Sequence, residues 1–322
     1  MSLLGGLAAG FIALLVVAPP PTFAEGGSKP QCPPQAVPLD AARLDAGMRD
    51  ARDHGFLWRI ARDGRTSYLY GTIHAARPEW MFPGPRTRAA LAASDTLALE
   101  LDVLDPATQA RLGAAMRAKQ ATPLPATLAS RLARHLAAEC IDRAAWRTLA
   151  PELQATLLGV MAARREGLDP AYAIDVVLAL VARQLGKTIA SLETPETQIA
   201  ALTMPSAEAT VEFVASSLDE LESGRSGPLL LHLAASWRDS DLAELETYER
   251  WCECMHSDAE RAAMKRFLDD RNPALADGID ALHAAGGTVF AATGSLHMVG
   301  RNGLPALMRE RGYTVEAVRF DR

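Results

Sequence analysis

Residues 68–80 read YLYGTIHAARPEW, and residues 288–300 read TVFAATGSLHMVG. Each is a short apolar run that ends in Gly-x-x-His: Gly71 with His74, and Gly294 with His297. A glycine at a strand end lets the chain turn sharply or be approached closely. In open α/β sheets, ligands sit beyond the carboxyl ends of strands. If the two strands are parallel neighbours, both imidazoles reach one crevice. That reading predicts a single sheet built from both ends of the chain.

The intervening sequence fits this plan. FLWRIA (56–61) and TSYLYGTI (66–73) flank RDGR, where Asp63-Gly64 is a hairpin turn signal. TLALELDV (96–103) alternates, and GKTIASLE (186–193) and YTVEAVRF (313–320) also read as strands. Helical periods run over 106–119, 125–139, 143–166, 171–185, 195–222, 227–254 and 257–285, with a short helix at 303–312. The expected fold class is α/β, one sheet from both chain ends with a large helical insertion. The expected domain spans 46–322, with its helical body about 105–285.

The 322 residues are 49% hydrophobic and 22% charged, which suits a large core. Net charge is −6, aromatics are 6%, and Lys and Arg are scattered without a basic stripe. Nucleic acid is therefore not an expected partner. The first 24 residues read as a secretory signal. An uncharged apolar run over 3–18 is followed by Thr22-Phe23-Ala24, a small-x-small cleavage pattern. The alternative is an uncleaved anchor, because no Lys or Arg precedes the apolar run. A flexible tail follows over 25–45, Pro/Gly-rich over 25–38, and no later segment is long and apolar enough to span a bilayer. The expected location is periplasmic or secreted. Export permits disulfides among Cys32, Cys140, Cys252 and Cys254, and one or two are expected without an assigned pairing.

The candidate chemistry centres on His74 and His297, with a carboxylate as third member. In TLALELDV, Glu100 and Asp102 share one face, and two buried unpaired acids there would be costly. Two histidines and a carboxylate suit Zn²⁺, Mn²⁺, Co²⁺ or Fe²⁺, and such a cation acidifies water for hydrolysis. Arg271, followed by Asn272, is read either as a clamp for substrate charge or as a structural bridge. Asp175 interrupts the apolar helix AYAIDVVLAL, either facing the site or serving structure. Glu193 ends the strand TIASLE and is the choice for a second carboxylate, with Gln198 orienting it. His54, His135, His232, His256 and His283 read as surface or ordinary helix residues. No Gly-x-Ser-x-Gly elbow supports a serine nucleophile.

The chain resembles the TraB/PrgY/GumN family, which includes the Tiki proteins, over nearly all of 56–320. The resemblance rests on LWRIARDGRTSYLYGTIH and SDTLALELDVLDP, on GLDPAYAIDVVLALVARQLGKTIASLETPETQIAAL and LDDRNPALADGI, and on TVFAATGSLHMVGRNGLPALMRERGYTVEAV. It implies a fold like that of erythromycin-esterase-like and ChaN-like proteins. It also implies a metal-dependent site at His74, His297 and Glu100, with Mn or Co as the ion by likeness to the Tiki branch, beside the Zn that the donor types also allow. The Tiki branch is regarded as metallopeptidases. The expected function is thus an exported metal-dependent hydrolase, most simply a peptidase acting on a peptide or small-molecule substrate. Glu100 serves as ligand or general base, and Arg271 as electrophilic help. The alternative is a non-catalytic metal- or ligand-binding envelope protein connected with exopolysaccharide biology.

Overall fold

Strands β1 (Phe56–Arg62) and β2 (Arg65–Thr72) form the expected hairpin. Asp63 and Gly64 take φ of 52° and 72°, the paired positive values that a tight two-residue hairpin turn requires. The sheet is completed by β3 (Thr96–Leu99), β4 (Thr188–Ser191), β5 (Val289–Gly294) and β6 (Thr314–Val318). Its order is β4-β3-β5-β2-β1-β6. The first four in that order are parallel, while β1 is antiparallel to both β2 and β6. The structure, a computed structural model, describes residues 32–320 apart from 39, 119–121, 142–145, 253 and 256–257. The expected signal segment lies outside the described residues.

The two Gly-x-x-His strands are direct neighbours. In the β2–β5 pairing, Gly71 faces Thr293 and Thr72 faces Gly294. Parallel neighbours need long crossover connections, and here they are helical. The helix Ile174–Gln184 packs on β3 and β4, and Asn272–Ala284 packs on β5. Val289, Phe290, Ala291 and Ala292 are all buried, as a parallel strand covered on both faces should be. A further helical group, Pro151–Ala162, Ala207–Ser223 and Ser226–Arg238, packs on itself beside the sheet. Trp237, fully buried, locks this group to the sheet by donating its Nε1–H to the Gly71 carbonyl at 2.8 Å.

Several expected boundaries move. β3 stops at Leu99 rather than running to Val103, and both Leu97 and Ala98 are buried, so its alternation does not mark an exposed face. The run at 195–222 splits into Pro195–Leu202 and Ala207–Ser223, because Pro205 blocks continuation and Ser206 caps the second helix through the Ala209 N–H. The run at 227–254 breaks after Arg238, where Ser240 has φ 53° and Asp241 caps the next short helix. The run at 257–285 separates into Asp258–Phe267 and Asn272–Ala284, with Pro273 opening the second. Of the helix expected over 143–166, the described residues show Pro151–Ala162 followed by a 3-10 turn, Ala163–Glu166, while 143–145 lie outside them.

All four cysteines are paired, Cys32 with Cys140 and Cys252 with Cys254. Such bonds persist in oxidising compartments. No helix among the described residues is long and apolar enough to cross a membrane.

Candidate active site

Four adjacent parallel strands each deliver a polar side chain at the same sheet edge. Glu193 follows β4, Glu100 follows β3, His297 follows β5 and His74 follows β2. Backbone bonding continues past the strand ends and sets the carboxylates side by side: Leu192 N–H donates to Leu99 O, and Glu193 N–H to Glu100 O.

Glu100 is buried, and its oxygens have different partners. Oε1 accepts from the Gly294 N–H at 2.7 Å, while Oε2 accepts from Arg271 Nη2 at 2.8 Å. Gln198 Nε2 lies 3.5 Å from Oε2. Arg271 also grips Glu193, with Nε donating to Oε1 at 2.7 Å and Nη2 donating to Oε2. Its Nη1 donates to the Phe267 carbonyl and stands 3.3 Å from His297 Nε2. The break between Asp258–Phe267 and Asn272–Ala284 is what carries Arg271 and Asn272 inward. Burial works against the Arg271 charge, but Glu193 and Glu100 raise its pKa above the ordinary value, so the guanidinium is fixed as a cation. Burial raises the pKa of Glu193, with Arg271 opposing and Glu100 adding to the rise.

Each histidine is held from behind. His74 Nδ1 lies 2.7 Å from Asp175 Oδ2, and His297 Nδ1 lies 2.5 Å from Asn272 Oδ1. These acceptors select the tautomer with Nδ1 protonated and turn Nε2 toward the crevice, where that of His297 accepts from Arg271 Nη1. Burial lowers the His74 pKa, but Asp175 and then Glu100 raise it more, and the net shift is upward. His297 is pushed well below the ordinary value by burial and then by the Arg271 and His74 charges, so its imidazole is neutral.

Gly294 sits at the meeting point. A Cβ built on it would stand 3.4 Å from His74 Nε2, 3.5 Å from Glu100 Oε1 and 3.7 Å from His297 Cδ2. The three side chains therefore surround one small volume. Gly71 serves packing instead: a Cβ there would approach Ser295 Oγ to 3.0 Å. Ser295, absent from the sequence reading, donates to Thr72 O at 2.8 Å and ties the two strand ends together.

The spacing is open as it stands. His297 Nε2 and Glu100 Oε1 are 3.9 Å apart, wider than the edge of a tetrahedral site with bonds of about 2.0–2.2 Å. Among the described residues, no group of three or more His, Cys, Asp or Glu side chains is close enough to hold a metal ion.

Asp102 does not join the cluster. Its carboxylate pairs with Arg183 Nη2 at 2.9 and 2.7 Å. His283, expected as an ordinary helix residue, is fully buried and structural, with Nδ1 at Ser67 Oγ and Nε2 at Arg62 O. His135 pairs with Glu222 and His232 with Glu244, while His54 Nδ1 meets Arg238 O. His256 lies outside the described residues.

A mixed sheet whose parallel strands present histidines and acids at one edge, with buried Arg271 reaching in from a helix break, defines an α/β protein with a polar crevice. The TraB/PrgY/gumN family matches residues 56–317, and the chain belongs to that family. It is also similar to a Xenopus tropicalis protein, metalloprotease TIKI1, at 31% identity over 114 residues. That match covers 34% of this chain and 22% of the relative's length. No solved structure matches the chain.

Proposed function

We propose that this chain is a metal-dependent hydrolase, most simply a peptidase, with His74 and His297 as metal ligands and Glu100 beside them as ligand or base. The observation that carries the reading is their convergence around Gly294. The donor types fit a divalent ion: two imidazoles, each anchored at Nδ1, and a carboxylate. Manganese, cobalt and zinc all accept such a set. The similarity to a protein named a metalloprotease supports the same reading.

A divalent ion held there would act as a Lewis acid, acidifying water and polarising a carbonyl. The chain's own residues do the rest. Asp175 and Asn272 orient the imidazoles. Arg271 offers a fixed positive charge toward developing negative charge. Glu193, both of whose oxygens accept from Arg271, fixes that guanidinium at the site. Glu100 is a ligand or the general base. The erythromycin-esterase/ChaN-like architecture and a periplasmic or secreted location belong to the same proposal, and the two disulfides support the location.

The test is chelation and restoration. Protein stripped of metal should lose peptidase activity and regain it with one of Mn²⁺, Co²⁺ or Zn²⁺. Metal uptake without turnover of any peptide in a diverse library would replace this reading with a binding role in the cell envelope.

A further inference from the structure

Beside His74 and His297 the crevice opens into a cavity of about 90 Å³. The two strand-end loops supply all its polar lining, from Thr72, His74, Ser295 and His297. The helices supply only apolar walls, among them Val160, Ala163, Leu230, Leu233, Met264 and Phe267. Among the described residues, no lysine, arginine, aspartate or glutamate lines it. Leu230, Leu233 and Leu296 are half-buried, so the apolar wall reaches solvent.

Protein interiors seldom leave voids larger than a water molecule. Water gains little against the helix-built walls, because an ordered molecule needs about 2–4 polar partners and those walls offer none. An apolar group entering from solvent gains roughly 25 cal/mol for each Å² it buries. Against the same walls a charged group would be desolvated with nothing to pair with. The volume is below the roughly 150 Å³ of an apolar cavity that accepts benzene, so an indole does not fit.

We propose that this cavity is a substrate subsite for an uncharged, branched aliphatic side chain. The substrates would then be peptides with a Val-, Leu- or Ile-type residue beside the bond that is cut. The inference rests on the hydrolase reading for the word substrate, but the cavity's selectivity is measurable without turnover.

The experiment measures binding of the N-acetyl amides of leucine, glycine, lysine and tryptophan to the full chain by ligand-observed NMR. The leucine amide should bind at least about tenfold more tightly than the glycine amide, the scale hydrophobic pockets give. The lysine and tryptophan amides should do no better than glycine. Leu230→Trp and Leu233→Trp, made separately, should each bring the leucine-to-glycine ratio toward one while metal uptake stays unchanged. Two variants guard against one failing to fold, and the wild-type ratio stands alone if both do. Equal binding of the leucine and glycine amides overturns the proposal. So does an undiminished ratio in a folded variant. Selective binding without hydrolysis would sink the hydrolase reading and leave the aliphatic subsite intact.

Discussion

Glu100 and Arg271, 171 residues apart in sequence, meet in a buried ion pair at 2.8 Å. The same guanidinium grips Glu193. Removing one partner of a buried pair strands the other charge and costs about 3–5 kcal/mol. Arg271→Met should therefore lower unfolding free energy by that order, measured by urea titration. Arg271→Lys should recover only part of it, because an ammonium cannot reproduce the forked contact to two carboxylates.

Gly294→Ala separates function from stability. The residue has φ −50°, which alanine adopts freely, and the added Cβ makes no contact under 3.4 Å. Stability should hold or rise by about 0.4–1 kcal/mol, the usual effect of reducing unfolded-chain entropy. The methyl group would nevertheless stand among His74, Glu100 and His297. Calorimetric metal titration should show affinity lost in a protein whose melting temperature is not reduced.

The Cys32–Cys140 bond closes a separation of 108 residues. A loop that long restricts the unfolded chain strongly, and loss of such a link costs about 2–5 kcal/mol. The paired change Cys32→Ala with Cys140→Ala should fall in that range by chemical denaturation. Thiol titration of the unfolded, unreduced wild type should find no free thiols.

An acid-side effect is expected at Glu222. Hydrogen bonds from Arg131 and then His135 depress its pKa from 4.5 to about 2. A depressed carboxylate stabilises the fold above its unfolded pKa, and that contribution fades as pH falls through the folded value. Glu222→Gln should thus be less stable than wild type at pH 7. The gap should narrow between about pH 4.5 and pH 2. The side chain is partly exposed, so the effect should be small and salt-sensitive.

Much of the sheet was legible because its strands end in unusual punctuation. The paired Gly-x-x-His motifs foretold that β2 and β5 are parallel neighbours, and Asp63-Gly64 foretold the hairpin. Helix breaks were harder, because alanine-rich segments carry a helical period across them. Asn272-Pro273 was the available signal for the break that turns Arg271 inward. The Glu100 carboxylate was found by an alternation argument that the buried Ala98 does not obey. Strand alternation cannot show that a strand is covered on both faces. Asp102 shared the pattern of Glu100 but met Arg183, a partner 81 residues away that no local period reveals. Ser295 and Trp237 act through contacts across the fold, and nothing in their immediate sequence marks them.

The central claim is that His74, Glu100 and His297 work as one unit around a divalent ion. Its most direct test is metal stoichiometry on wild type and on His74→Ala, His297→Ala and Glu100→Gln, with peptide hydrolysis followed on the same samples. Wild type should bind one ion per chain. Both histidine variants should lose it together with activity, and combining them should add little. Glu100→Gln should lose turnover, keeping the ion if Glu100 is the base and losing it if Glu100 is a ligand. Wild-type protein that binds no divalent ion, or His74→Ala that hydrolyses peptide at the wild-type rate, would contradict the account.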